Sequence, residues 1–253
     1  MKNFTVFPYA LVAIFLLSNI VVLTGFVAEA NSKNLDKPVL DQQAYEEVNT
    51  ATFALGCFWG GDARYGAVPG VIRTRVGYAG GSKENPTYYN LGKHTESIQV
   101  DFNPKVVSYG ELVDIFWNNH NPHSKSYSTQ YANILFYHND YQKRVAKRTL
   151  QNLTQDSQKE VYTQIKEIKE FYPAESYHQK YQLRQRVPFI EIMKDQYPKD
   201  ENLRDSTAAA RLNGFLAGHG TSEQVEKLAG KLGLTEEVRE ILLKRFGLKG
   251  KDA

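Results

Sequence analysis

The stretch "ATFALGCFWGGDARY", residues 51–65, places a short apolar run directly before a glycine and a cysteine. The apolar run over 51–55 predicts a β-strand, and the residues that follow predict a helix that begins at Cys57 and ends before Pro69. Gly56 permits a tight turn between the two elements. The sequence of 253 residues contains one cysteine, and this pattern places it at a strand-to-helix turn.

Regular patterns continue after this turn and predict an α+β body. Strands are predicted at 71–79, 96–102, 132–138 and 160–168, and helices at 57–67, 108–119 and 140–153. The first six elements follow the order β-α-β-β-α-β, which is the split βαβ or ferredoxin-like arrangement. This order predicts a mixed sheet with helices packed on one face.

The N-terminal end of the sequence differs from this body. Lys2 precedes a charge-free run, and Ala28 and Ala30 form an A-x-A pattern, so residues 1–30 are interpreted as a secretory signal peptide. The alternative is a membrane anchor over residues 7–28, because the run approaches the ~20 residues that span a bilayer. Either interpretation predicts a secreted protein or one in a non-cytosolic compartment.

Three further segments complete the predicted organisation. Residues 31–50 are polar and are interpreted as a linker, and residues 51–197 are interpreted as the catalytic domain. Residues 198–253 predict a C-terminal helical extension to which the sequence assigns no chemistry. Its helices are predicted over 200–220, 221–233 and 235–247, each with glycine at its C-terminal end.

Net charge and cysteine content argue against some classes of protein. The net charge is +3 and no basic cluster is evident, which argues against a nucleic-acid-binding surface. A single cysteine forms no internal disulfide, so packing must stabilise the fold. No feature of the sequence indicates oligomerisation, and a monomer is predicted.

Cys57 has two interpretations, an inert core residue or a nucleophile. A helix N-terminus lowers a thiol pKa, and the thiolate is the reactive form. Phe58 and Trp59 follow directly and can wall a small apolar pocket beside the sulfur. Acid, phenol and imidazole groups recur in the segments that follow, at Tyr88, Tyr89, His94, Glu96 and Tyr131. The pattern favours a thiol enzyme.

Four stretches carry a resemblance to a known family. "GCFWGGDARYGAVPGVIRTRVGYAGG" (56–81) resembles the nucleophile segment of the peptide methionine sulfoxide reductase A family. The other matches, in order, are "NPTYYNLGKHTESIQVDFNP" (85–104), "TQYANILFYH" (129–138) and "FYPAESYHQKY" (171–181). The similarity covers roughly residues 52 to 185.

The resemblance implies that the chain reduces methionine-S-sulfoxide, free or within oxidised proteins, to methionine. It implies that Cys57 attacks the sulfoxide sulfur and is left as a sulfenic acid. The other implied roles are an aromatic wall for the S-methyl group at Phe58 and Trp59, phenol donors to the sulfoxide oxygen at Tyr88 and Tyr131, and the acid that protonates that oxygen at Glu96. A carboxyl in an apolar, ring-lined pocket has a raised pKa and suits that last role.

The sequence departs from the family pattern in two places. Many members carry further cysteines that attack the sulfenic acid, and this sequence has none. We therefore expect no bound cofactor and an external thiol reductant, either a thioredoxin- or glutaredoxin-like protein or a small thiol such as glutathione. Ser126 occupies the place of an Asp that precedes the second tyrosine in the family, and the replacement for that Asp stays unassigned.

Other hypotheses remain open at this point. A thiol hydrolase would need a histidine base, for which His94 is the candidate. A catalytically weak binding module could use the Phe58 and Trp59 pocket to hold methionine or its sulfoxide. His120 and His123 are interpreted as loop residues rather than metal ligands, and His178 and Tyr181, in "SYHQKY", are interpreted as structural support near the site.

Overall fold

The computed structural model describes residues 37–157 and 159–248. The predicted strand, turn and helix are confirmed as β1 (Asn49–Leu55), a turn at Gly56 and Cys57, and α1 (Phe58–Gly66). Gly56 has a φ of +85°, a backbone conformation that glycine adopts without strain. The turn therefore holds Cys57 at the start of α1, as the sequence indicates.

The signal peptide or anchor predicted for residues 1–30 lies outside the described residues. Within 37–157 and 159–248, no helix combines the length and the apolar character that a membrane span requires.

A mixed sheet forms the centre of the described structure. After β1 its strands are β2 (Val71–Ala79), β3 (Thr95–Phe102), β4 (Asn133–Tyr137), β5 (Gln164–Glu167) and β6 (Phe171–Pro173). Their spatial order is β5-β4-β1-β3-β2-β6, with β4 and β5 parallel and the other neighbours antiparallel. β5 is shorter than the strand predicted over 160–168, and β6 was not predicted. Both are edge strands of three or four residues, which are defined by their pairing and are too short to show a periodic pattern.

Helices pack on one face of this sheet. Besides α1 these are α2 (Tyr109–Trp117), which begins with a capping box at Ser108, and α3 (Asp140–Ser157). Phe53 joins the hydrophobic cluster that contains residues of all three helices, whereas its neighbour Ala54 joins the cluster of the opposite face. This alternation is that of a strand at the centre of a sheet, and the α+β prediction is confirmed.

The remaining helices follow β6. They are α4 (Tyr181–Arg184), α5 (Val187–Gln196), α6 (Asp200–Arg204), α7 (Thr207–Leu216), α8 (Ser222–Leu228) and α9 (Glu236–Arg245). The prediction of one helix over 200–220 is wrong, because Ser206 accepts a hydrogen bond from the Ala209 N–H and starts a second helix. The predicted start of α8 is confirmed by a capping box at Thr221.

Helix α7 packs directly against α1 through two glycines. A Cβ at Gly66 would lie 2.4 Å from the Ala210 carbonyl oxygen, and one at Gly214 would lie 2.6 Å from the Ala63 carbonyl oxygen. The buried Arg211 of α7 adds hydrogen bonds to carbonyls at the end of α1 and the start of β2, and burial lowers its pKa to about 10. The two glycine contacts, in which no side chain separates the backbones, fix the distance between α1 and α7.

Part of the segment interpreted as a linker folds onto these helices. Residues Val39–Gln42 form a 3₁₀-helix, and the carboxylate of Asp41 accepts hydrogen bonds from the Tyr197 hydroxyl (2.5 Å) and the Ser206 hydroxyl (2.6 Å). It also accepts the N–H groups of Thr207 (2.5 Å) and Ala208 (3.2 Å). Asp41 thus places a negative charge at the positive end of α7.

We predict that Gly66→Ala destabilises the protein by about 1–3 kcal/mol, because the added methyl group overpacks a backbone contact. Gly60→Ala, in the same helix, is the matched control, since a Cβ there meets no described atom within 4 Å. We expect the control to leave stability unchanged or to raise it by up to about 1 kcal/mol through helix propensity. Urea unfolding measures both, and equal midpoints would contradict the close packing of α1 on α7.

Candidate active site

The thiol of Cys57 lies at the N-terminus of α1. Cys57 is the N-cap residue, and its side chain is exposed to solvent. The backbone N–H groups of Trp59 and Gly60 lie close enough to lower the pKa of the thiol, although the Cys57 side chain accepts no capping hydrogen bond. The sulfur is therefore reachable from solvent and lies at the positive end of the helix.

The net pKa of Cys57 is nevertheless raised. Partial burial of the sulfur by the surrounding protein is the largest cause, and the nearby carboxylate of Glu96 adds to it. The amides of the helix N-terminus oppose both effects without overcoming them. The expectation of a lowered thiol pKa is wrong, because it counted the helix end and missed burial and a carboxylate that is distant in sequence.

Glu96 lies beside the thiol at the start of β3. Its side chain is buried, and Oε2 accepts the N–H of Phe58 at 3.0 Å, the residue directly after Cys57. Oε1 accepts a hydrogen bond from Gln130 Nε2 at 2.8 Å. Burial raises the pKa of Glu96, whereas the two hydrogen bonds lower it. The net raised pKa suits a carboxyl that delivers a proton.

Two phenols lie near this carboxyl. Tyr131 ends the 3₁₀-helix Thr129–Tyr131, and its phenol is close enough to Tyr88 and Glu96 for both to influence its ionisation. Desolvation, the interaction with Tyr88 and the charge of Glu96 raise the pKa of Tyr131. Tyr131 is therefore a neutral donor at physiological pH. The structure thus brings the sequence-predicted Cys57, Glu96, Tyr88 and Tyr131 together.

The two aromatic residues after the cysteine lie differently. Trp59 is half-buried, its Nε1–H donates to His178 Nδ1 at 3.2 Å, and its ring stacks on Tyr181 with centroids 3.7 Å apart. Phe58 is buried beneath the site, with its ring 5.1 Å from that of His178. The indole is therefore the more accessible of the two rings, and it is held by a hydrogen bond and a stacking contact.

His178 and Glu175 support the site from the segment after β6. Because Nδ1 of His178 accepts the hydrogen bond of the Trp59 indole, the neutral ring carries its hydrogen on Nε2, which is buried and has no partner among the described residues. Glu175 accepts the Tyr88 N–H at 3.0 Å and the Tyr78 hydroxyl at 2.7 Å. Although burial opposes them, these hydrogen bonds lower the pKa of Glu175.

Sequence reasoning missed the contacts of Gln130 and Glu175. Both residues stand inside the quoted stretches "TQY" and "FYPAES". Neither has a spacing or a charge pattern that distinguishes it, and the only available signal was its position next to residues already singled out.

The candidate base of a thiol hydrolase lies elsewhere. His94 Nδ1 accepts the Gly81 N–H at 3.1 Å, and Nε2 contacts the Lys83 carbonyl oxygen at 2.9 Å. Both ring nitrogens contact loop backbone, so neither nitrogen is free to take a proton from Cys57. The structure therefore does not support the hydrolase hypothesis.

The other polar candidates have structural contacts. His120 and His123 bind backbone carbonyls at 2.8 and 2.9 Å, and within the described residues no group of three or more potential ligands could hold a metal ion. Ser126 donates to the Ser128 carbonyl oxygen at 2.8 Å and orders its own loop. It makes no described contact with Glu96.

A buried ion pair lies beneath α1. Asp62 and Lys180 are both fully buried, with Nζ 3.3 Å from Oδ1. The ammonium also donates to the Thr74 carbonyl oxygen (2.5 Å) and hydroxyl (3.1 Å). Asp62 Oδ2 accepts the Lys180 N–H and the side-chain amide of Asn213 in α7, each at 3.1 Å. Burial lowers the pKa of Lys180 against the attraction of Asp62.

An accessible thiol beside a protonable carboxyl and two phenols defines a thiol oxidoreductase whose substrate presents an oxygen that must take up a proton. The sequence profile of the family described as peptide methionine sulfoxide reductase matches residues 49–210. That range covers more than half of the chain and includes every residue of this site. The chain therefore belongs to the peptide methionine sulfoxide reductase family, and it reduces methionine sulfoxide with electrons from thiols.

Similar proteins carry the same description. The peptide methionine sulfoxide reductase of Drosophila melanogaster is 44% identical over 193 residues, which are 76% of this chain and 77% of that protein. The peptide methionine sulfoxide reductase A5 of Arabidopsis thaliana is 32% identical over 222 residues, covering 85% of this chain and 86% of its own.

Solved structures agree with the fold. Methionine sulfoxide reductase A of Corynebacterium diphtheriae aligns with a TM-score of 0.51 at 26% identity, covering 60% of this chain and 82% of that one. Mxr1 from Saccharomyces cerevisiae in reduced form aligns with a TM-score of 0.51 at 31% identity, covering 57% of this chain and 90% of that one.

We predict that Lys180→Met destabilises the protein by about 3–5 kcal/mol, because it leaves the buried carboxylate of Asp62 without its ammonium partner. The matched control is Lys105→Met, which removes a lysine from an exposed pair with Glu46. The control should leave the urea midpoint unchanged, since exposed pairs contribute little. Equal midpoints for the two variants would show that the buried pair does not stabilise α1.

Proposed function

We propose that Cys57 attacks the sulfur of methionine-S-sulfoxide while Glu96 protonates the departing oxygen. The observation that carries this is the hydrogen bond from the Phe58 N–H to Glu96 Oε2 at 3.0 Å, because it places a buried carboxyl of raised pKa one residue from the thiol. The oxygen passes to the cysteine sulfur, which is oxidised to a sulfenic acid. The bond between the two sulfur atoms breaks as the substrate sulfur takes up two electrons, and the proton that Glu96 delivered stays on the new hydroxyl group.

The phenols of Tyr88 and Tyr131 act on the same oxygen. A sulfoxide oxygen gains negative charge as its bond to sulfur lengthens, and fixed neutral donors stabilise that charge. The raised pKa of Tyr131 keeps its hydroxyl protonated. Tyr131 therefore assists the proton transfer from Glu96 without exchanging its own proton, and Tyr88 adds a second hydroxyl group beside it.

The indole of Trp59 provides the apolar contact for the S-methyl group, over a floor formed by Phe58. Its fixed position, set by His178 and Tyr181, supports this role. With the methyl group on one side and the polar donors on the other, one configuration of the chiral sulfur fits. We assign the S epimer.

The sulfenic acid is reduced by an external thiol. The thiol attacks the Cys57 sulfur, releases water and forms a mixed disulfide, and a second thiol restores the cysteine and leaves as a disulfide. The exposure of Cys57 and the single cysteine in the sequence support this order. The reductant is a thioredoxin- or glutaredoxin-like protein, or a small thiol such as glutathione.

Two further proposals concern the fold and the location. The order β4-β1-β3-β2, with antiparallel pairing throughout, supports the split βαβ or ferredoxin-like arrangement for the central strands. The charge-free N-terminal run and its A-x-A pattern support a signal peptide or anchor in residues 1–30 and a secreted or non-cytosolic location.

We predict that one equivalent of methionine-S-sulfoxide, given without reductant, yields about one methionine per enzyme, because one thiol supplies two electrons. A mass tag for sulfenic acid should mark Cys57. The variant Cys57→Ser should yield neither product. A folded wild-type protein that forms no methionine and takes no tag would overturn the reductase assignment and favour the binding module.

We predict a bell-shaped dependence of kcat/KM on pH, because the reaction needs one proton shared between Cys57 and Glu96. Both pKa values are raised, so activity falls in acid when both groups are protonated and in alkali when both have lost their protons. Glu96→Gln should lower kcat/KM about 10²- to 10⁴-fold. It should also abolish the alkaline limb and lower the thiol pKa, since the carboxylate charge is gone.

The matched control for this experiment is Glu167→Gln, an exposed carboxylate at the end of β5. It should keep the rate and the bell shape of the wild type. An alkaline limb that survives in Glu96→Gln would show that another group supplies the proton.

A further inference from the structure

Three strongly exposed tyrosines surround the site. Tyr89 is 91% exposed, Tyr127 is 85% exposed and Tyr177 is 52% exposed. Each ring contacts an aromatic residue of the site, and the partners, with centroid distances of 5.5, 5.5 and 4.2 Å, are Tyr88, Tyr131 and His178 in that order. We call these three residues the tyrosine rim.

The tyrosine rim is assembled from three separate segments of the chain. Tyr89 lies in the loop before β3, Tyr127 in the loop before β4, and Tyr177 after β6. Tyr177 is also close enough to Tyr89 for the charge of that phenol to influence its ionisation. Convergence from three segments shows that the rim is a property of the site rather than of one hydrophobic stretch.

Exposed aromatic rings around a pocket favour a binding surface. A tyrosine ring buries a large apolar area at a small entropic cost, which is why tyrosine is enriched where proteins bind partners. The rim continues the site outward from the phenols and the imidazole. A ligand whose side chain reaches Cys57 therefore places the atoms next to that side chain over the rim.

We propose that the tyrosine rim binds the residues on either side of an oxidised methionine in a polypeptide, and that it favours apolar neighbours. This rests on the proposed function of Cys57 and Glu96. Apolar side chains and peptide groups pack against rings, whereas free methionine sulfoxide would bring a charged amino and a charged carboxylate group to the same surface. Desolvating such charges without partners is costly.

The test compares three substrates with dithiothreitol as reductant. These are acetyl-methionine-S-sulfoxide amide, the same residue between two glycines on each side, and the same residue within acetyl-Leu-Phe-X-Phe-Leu-amide. The wild-type protein should have the lowest KM for the third peptide. A double variant, Tyr89→Ala with Tyr177→Ala, should raise that KM about tenfold or more, as expected for lost aromatic anchors, and Tyr127→Ala should raise it less.

The small amide is the internal control of the experiment. Because it has no neighbours, its kcat and KM should stay unchanged in the rim variants, which also shows that Tyr88 and Tyr131 keep their positions. The matched surface control is Tyr141→Ala, which removes a tyrosine that is 54% exposed on α3. It should leave kcat and KM unchanged for all three substrates.

Three results would overturn the proposal. The rim variants could slow all substrates equally, which would indicate a structural role, or could slow none. They could also leave every dithiothreitol rate intact and slow only turnover driven by thioredoxin, which would assign the rim to the protein reductant. Failure of the proposed function is distinct, because the wild-type protein would then reduce none of the three substrates.

Discussion

The buried ion pair of Asp62 and Lys180 is the constraint on which the site depends. It joins α1, the Thr74 backbone in β2, the segment after β6 and Asn213 in α7. Two charges without solvent tolerate little displacement, since each would lose the opposite charge that compensates it. The pair therefore fixes the helix that begins at Cys57 relative to the segment that holds the site's other walls.

Within that frame, the ionisation of Cys57 and the ionisation of Glu96 are coupled. Burial raises both pKa values, and the carboxylate raises the thiol pKa further. A protonated Glu96 no longer repels a thiolate, so in the mechanism proposed above the acid form of Glu96 also makes the nucleophile easier to form. The amides of Trp59 and Gly60 then stabilise that thiolate locally. The site thus favours the one-proton state over the doubly charged one.

Local sequence predicted the elements that local physics determines. The strand before Gly56, the helix over 108–119 and the strands β2 and β3 each depend on neighbouring residues, and each was predicted. The break at Ser206 comes from a local helix cap that the sequence interpretation missed. The edge strand β6 and the hydrogen bond of Gln130 to Glu96 depend on contacts between distant segments. The raised pKa of Cys57 belongs to this second kind, since its causes are folded-state burial and a carboxylate from another strand.

Helix α7, in the C-terminal extension, also belongs to the scaffold of the site. The family match ends at residue 210, inside α7, yet Asn213 lies beyond that point and binds the carboxylate of Asp62. The approach of Gly214 to the Ala63 carbonyl oxygen brings α7 within backbone contact of α1. Asp41 in turn binds the first N–H groups of α7. Asp41 on the N-terminal side therefore positions α7 on the C-terminal side. Helix α7 packs on α1, and α1 begins at Cys57.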